Sequence, residues 1–105
     1  MKMIVRFEFD SQLFYSTYSG PRNIIFENPP HIPATGDPVN FKISDFFEDK
    51  KVIRKFNSIE ENNLFYAERL QAKYHKDFVE IIIVLYEEAI FKAKRPDLFA
   101  QNSLY

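Results

Sequence analysis

Hydrophobic and polar residues alternate over residues 2–9, which is the period of a half-buried β-strand. The apolar side of this stretch carries Met3, Val5, Phe7 and Phe9. A short apolar run predicts another strand at 23–27. Alternation from Val39 to Ile43 predicts a further one. Between the first two of these strands, an apolar start at 13–15 is broken by polar and turn-forming residues, so a strand there would be short.

Prolines concentrate between residues 28 and 38, which hold four of the six prolines and one of the two glycines. Each proline fixes its own φ and restricts the preceding residue, so residues 28–33 should be extended. Gly36 lies in the turn that follows, where glycine can adopt a positive φ without steric cost. This turn should set the register of the strand that begins at Val39.

The middle of the chain is harder to interpret. Alternation at 52–57 predicts a strand with apolar residues on both faces. In the next stretch the even positions are mostly apolar, which favours a strand at 64–73 followed by a hairpin turn at 74–77. Apolar residues four positions apart in the same stretch also fit a helix at about 59–75, which is the alternative.

Residues 78–86 form the clearest strand, because they are rich in β-branched residues. Both faces of this strand are apolar, which predicts a central position in the sheet. A short helix is predicted at 87–94. The tail at 97–105 should dock through Leu98 and Phe99.

Together these patterns predict one mainly β domain over residues 1–105. We expect a small, bent antiparallel sheet or partly open barrel of five to six strands, with a short C-terminal helix. The last three strands should form a meander from about 51 to 86. If the helical interpretation of 59–75 held instead, the domain would be α+β.

Composition narrows the function classes. The 105 residues include 12 Phe and 6 Tyr, which supports a sizeable core. A formal net charge of −1 argues against a strongly basic nucleic-acid coat. The chain has no cysteine, so disulfides and thiolate sites are excluded, and we expect a cytoplasmic protein. No apolar run approaches the ~20 residues of a membrane span.

Candidate chemistry is sparse. The two histidines, His31 and His75, lie in the proline segment and in a predicted turn, and no ligand motif joins them. The serines match no nucleophile motif, and the two glycines are too far apart for a phosphate loop. Glu68 would lie on the apolar face of its strand, where a carboxylate needs a basic partner or the sheet edge. We therefore predict a chain that is not an enzyme, with no catalytic residue, cofactor or metal site.

The leading hypothesis is an interaction module that binds another protein or self-associates through exposed aromatic residues. The candidate contacts are Tyr15, Tyr18, Phe46 and Phe47. Tyrosine and serine interleave around the first two, as in binding loops. Phe46 and Phe47 are adjacent, so burying both requires a bulge or a second packed layer.

Two further functions remain open. The first is single-stranded nucleic-acid binding by a basic turn and strand, with Tyr66 and Tyr74 nearby. Its candidate residues are Lys50, Lys51, Arg54 and Lys55. Acidic neighbours would weaken the field of this basic cluster. The second is a small-molecule-binding barrel whose mouth is lined by the proline segment.

Overall fold

The computed structural model describes residues 1–10, 13–59 and 64–98. The chain forms, in order, β1 (Lys2–Phe9), β2 (Asn23–Glu27), β3 (Pro38–Asn40), a 3₁₀ helix (Ile43–Asp45), α1 (Lys50–Ile59), β4 (Leu64–Tyr74), β5 (Phe78–Glu87) and α2 (Glu88–Lys94). The five strands make one sheet in the order β2-β1-β5-β4-β3, curled into a half-barrel. The predicted mainly β fold with a short C-terminal helix is confirmed.

The sheet is mixed and not wholly antiparallel. Its central strand, β5, runs parallel to β1, and the two pair from Lys2 opposite Phe78 to Phe9 opposite Leu85. The other neighbours are antiparallel. A parallel pair needs a long crossover, and here the crossover is most of the chain. The short strands β2 and β3 therefore form the two opposite edges of the sheet, although they follow each other in sequence.

The strand predicted at 52–57 is wrong, because these residues belong to α1. Val52 and Phe56 are four residues apart and both fully buried, so they form the apolar stripe of the helix. Asp49 caps this helix: its Oδ1 accepts the backbone N–H of Lys51 at 2.9 Å and of Val52 at 3.1 Å. The expected three-strand meander is therefore only the β4–β5 hairpin.

Strand β4 confirms the strand interpretation of 64–73, and the helix at 59–75 is wrong. Its buried face differs from the expected one, however, because Phe65 and Ala67 are fully buried, whereas Tyr66 and Glu68 are only partly buried. The pairing with β5 shifts register between Arg69 and Gln71. This bulge changes the alternation, so the apolar even positions of the sequence lie on two faces of the strand.

Several shorter predictions have mixed outcomes. Strand β2 has its predicted bounds. Strand β3 is only three residues long, and Ile43 is buried in the 3₁₀ helix. Residues 13–15 form no strand, although Leu13 is fully buried. The predicted docking of Phe99 lies outside the described residues.

Aromatic rings fill the concave side of the sheet, where α1 packs. Phe9 is central, with its ring centroid 5.0 Å from that of Phe56 in α1 and 5.3 Å from that of Phe65 in β4. Edge-to-face geometry dominates these contacts, as expected for aromatic pairs. On the convex side, Phe91 of α2 stacks on Tyr66 with a centroid distance of 5.4 Å. Each side of the sheet is thus held by one helix.

Candidate functional site

The two edges of the half-barrel border a single groove of about 650 Å³. We call it the seam groove and define it by Phe7, Phe26, Pro33, Val39, Phe41 and Phe46. Strand β2 contributes Phe26 to one bank, and β3 contributes Val39 to the other. Its volume lies within the range of about 300–1,000 Å³ that is usual for ligand sites.

Four phenylalanine rings form a closed cycle that lines this groove. Phe7 contacts Phe26 at 5.9 Å and Phe41 at 5.2 Å between ring centroids. Phe46 completes the cycle, at 5.6 Å from Phe26 and 5.7 Å from Phe41. All four contacts are edge-to-face, so the lining is apolar and each ring is held by two others.

The proline segment forms one wall of the seam groove through Pro29, Pro30 and Pro33. It begins at Asn28, which has a positive φ of 49° and exchanges two hydrogen bonds with the backbone of Met3. This residue turns the chain sharply out of β2. The wall is thus anchored at its start by an asparagine, one of the residues that tolerate this backbone region.

Arg69 fixes the other end of the proline wall. Its guanidinium donates from Nε to the carbonyl of Pro33 at 2.8 Å and from one terminal nitrogen to Ile32 at 3.1 Å. The backbone N–H of Arg69 donates to Thr35 Oγ1 at 3.0 Å. One guanidinium therefore satisfies the carbonyls of two consecutive residues, Ile32 and Pro33.

Polar groups lie at the rim of the seam groove. Glu27 pairs with Lys2 at 3.3 Å, while Lys42, Asp45 and His31 also border the groove. Over the described residues, no group of three or more His, Asp or Glu side chains is placed to hold a metal ion. Glu68 is half-buried on the convex face, opposite Val84.

The predicted contact residues come together beside the seam groove, although they do not all offer surface. A second depression of about 520 Å³ is lined by Tyr18, Phe46 and Phe47, among others. Phe47 is only 2% exposed and stacks on Phe56, so it belongs to the core. Phe46 is half-buried and lines both depressions. The adjacent phenylalanines follow the 3₁₀ helix and pack in different directions, Phe46 on Phe26 and Phe41 and Phe47 on Phe56 of α1, which supplies the second packed layer.

In the loop at 13–22, which precedes β2, side chains of the loop pack on one another. Tyr18 stacks on Phe14 at 5.2 Å, and Arg22 lies over both rings while donating to the carbonyl of Tyr18 at 2.9 Å. A side chain at Gly20 would collide with the Tyr18 ring. The segment around Gly20 therefore leaves no room for a side chain at this position, and Gly20→Ala should displace Tyr18.

A hydrogen bond joins Tyr15 to the residue that caps α1, because the Tyr15 hydroxyl donates to Asp49 Oδ2. This hydrogen bond lowers the pKa of the Asp49 carboxyl below its ordinary 3.8; partial burial opposes the shift, and the amides of Val52 and Lys51 reinforce it. The same bond, with burial, raises the pKa of Tyr15. The ionised carboxylate is therefore the form that the folded protein favours.

The contribution of Asp49 to the free energy of unfolding should be fully present above its ordinary pKa of 3.8. It should be lost as the pH falls through the lower pKa that Asp49 has in the folded protein. We expect Tyr15→Phe to have a lower urea midpoint than wild type near pH 7, and this difference to shrink below about pH 3.8. Because both proteins contain the other carboxylates, the effect of those groups on the pH dependence of stability cancels in the difference. A difference that stays constant down to about pH 2.5 would contradict this linkage.

The four basic residues lie on one exposed face of α1: Lys50, Lys51, Arg54 and Lys55. Lys51 lies over the ring of Tyr15 at 5.4 Å. The tyrosines expected beside them lie elsewhere. Tyr66 stacks on Phe91 on the convex side, and Tyr74 is 76% exposed at the end of the hairpin.

Sequence reasoning missed most of the seam groove, including Phe26, Val39, Phe41 and Arg69. The sequence signals that did point to it were the proline segment, which was expected at a barrel mouth, and Phe46, which was a candidate contact. Comparison with protein-family models, with curated proteins and with solved structures found no match. Across the described part of the chain, no helix is long and apolar enough to cross a membrane.

Proposed function

We propose that this chain is a non-catalytic interaction module that holds an extended, apolar segment of a partner protein in the seam groove. The observation that carries the proposal is the cycle of four phenylalanine rings between two sheet edges. Aromatic residues dominate the energetics of protein interfaces when they form a packed, desolvated centre. We expect the module to act in the cytoplasm, in keeping with its lack of cysteine.

The width of the groove supports a single segment in preference to a folded partner. Residues of β2 and of β3 line the same depression, so the two edges face each other across it. A folded domain that approached one edge would meet the other edge and the proline wall. An extended segment has neither obstacle, and its side chains can reach the phenylalanine rings.

The test is selection of random dodecapeptides displayed on phage, followed by affinity measurements on Val39→Asp and Val79→Asp. Val39 is half-buried in the groove, whereas Val79 is half-buried on β5 away from it. We expect selected peptides to bind wild type and Val79→Asp equally, and Val39→Asp at least about tenfold more weakly. Failure to enrich any peptide, or equal binding to both variants, would overturn the proposal. Concentration-dependent dimers in light scattering would instead identify a second copy as the partner.

Nucleic-acid binding is the second candidate, because α1 gathers its four basic residues on one face. In the described residues none of these four forms an ion pair. The test is binding of a single-stranded oligonucleotide to wild type and to Lys51→Glu/Lys55→Glu at low ionic strength. Affinity that falls steeply with salt and is lost in the double variant would favour this function. Absence of binding at low salt would remove it.

A further inference from the structure

Strand β2 is the better of the two sheet edges for adding another strand. The backbone N–H of Asn28 donates to the Met3 carbonyl at 2.7 Å, so this opposed pair is hydrogen-bonded. In an antiparallel ladder bonded pairs recur every second residue, so Ile24 and Phe26 also bond to β1. The N–H and C=O groups of the alternate residues therefore point away from the sheet. They belong to Asn23, Ile25 and Glu27, and no other described strand pairs with them.

The opposite edge, strand β3, has fewer backbone groups available for pairing with another strand. Ala67 donates its backbone N–H to the Asp37 carbonyl at 2.9 Å, which places Val39 in the bonded register with β4. The outward positions of β3 are then Pro38 and Asn40. Pro38 has no N–H, and proline is one of the usual means of blocking a sheet edge. Only one bank of the seam groove thus presents a usable row of backbone groups.

The rim adds a charge preference at one end. Asp45 is exposed and borders the groove, and it forms no ion pair with any described residue. Glu27 of β2, which also borders the groove, is already paired with Lys2. A basic side chain on the occupant would therefore find an available carboxylate at Asp45.

We propose that the partner segment binds as a sixth strand on β2, bonded to the backbone of Asn23, Ile25 and Glu27. Alternate side chains of the segment point into the seam groove and pack on Phe26 and Phe46, and a lysine or arginine pairs with Asp45. This inference rests on the proposed function and specifies its recognition chemistry. Main-chain bonds supply affinity and alternate side-chain positions supply specificity.

The test uses the dodecapeptide selected on wild type and two variants of one residue. Ile25→Pro removes an outward N–H but no bond of the β1–β2 ladder, whereas Ile25→Thr keeps the N–H and the β-branch. We expect the proline variant to bind at least about tenfold more weakly, and the threonine variant to bind within about threefold of wild type. Circular dichroism checks that both variants are folded.

A second measurement leaves the protein unchanged. The same peptide carrying N-methyl groups at alternate residues keeps its side chains but cannot donate to β2. One of the two alternating methylation patterns should abolish binding, and wild-type amide exchange at Ile25 and Glu27 should slow by about tenfold or more with the unmodified peptide. If both N-methylated peptides and Ile25→Pro bind like their controls while Val39→Asp does not, strand addition is overturned and groove binding survives. If Val39→Asp also binds normally, the proposed function itself falls.

Discussion

Replacing Phe56 with alanine is expected to lower the free energy of unfolding by about 3–5 kcal/mol. The ring is fully buried and contacts Phe9, Phe47 and Phe65, which come from three different parts of the chain. Its removal leaves a cavity that rigid aromatic neighbours cannot fill. Because these contacts join α1 to the sheet, the truncation should weaken the packing between these two layers.

The measurement is urea unfolding of Phe56→Ala, with Arg54→Ala as a control from the exposed face of the same helix. The control separates the loss of packing from any general effect of substitution in α1, and it should change stability by less than about 0.5 kcal/mol. A Phe56→Ala variant within about 1 kcal/mol of wild type would mean that α1 is not anchored through this ring.

Gly36→Val is expected to destabilise the protein by about 1–3 kcal/mol. Gly36 has a φ of 97°, which a β-branched residue adopts only with strain. A Cβ there would also lie 3.3 Å from Leu98 Cδ1. The surrounding turn is held by the bond from Gly36 N–H to the Ala67 carbonyl at 2.8 Å, so the backbone cannot easily relax.

Two further variants separate the causes of that loss. Gly36→Asn should be milder than Gly36→Val, because asparagine tolerates positive φ better. Adding Leu98→Ala to Gly36→Val should recover only the part due to side-chain crowding. Equal urea midpoints for Gly36→Val and wild type would show that the turn adapts, and that it does not fix the start of β3.

Local patterns predicted the strands well wherever the pattern fits a single period or composition. Strand β1 was located by its alternation, β2 by a short apolar run, and the β5 region by its β-branched residues. The helix α1 was not, because Val52 and Phe56 satisfy both a two-residue and a four-residue period. What decides between them is the cap from Asp49 and the aromatic surface that the helix covers, and neither is visible in the spacing.

The candidate site was less predictable than the fold. Tyr18 and Phe46 were candidate contacts, and both line the second depression, but Phe47 is buried in the core. The seam groove depends on β2 and β3 facing each other across a curled sheet. That arrangement follows from the parallel pairing of β1 with β5, which no local pattern specifies. The bulge after Arg69 likewise changes which residues face inward without leaving a signature in the alternation.

The parallel pair at the centre of the sheet also constrains how the chain can fold. Arg6 and Glu80 meet across it although they are 74 residues apart in sequence. During synthesis, the edge of β1 that pairs with β5 therefore stays unpaired until residues 78–87 have been made. Closing so long a loop before its contacts form slows folding, since non-local pairings raise contact order. We expect folding to be slow for so small a protein, and nascent chains that end before β5 to depend on chaperones.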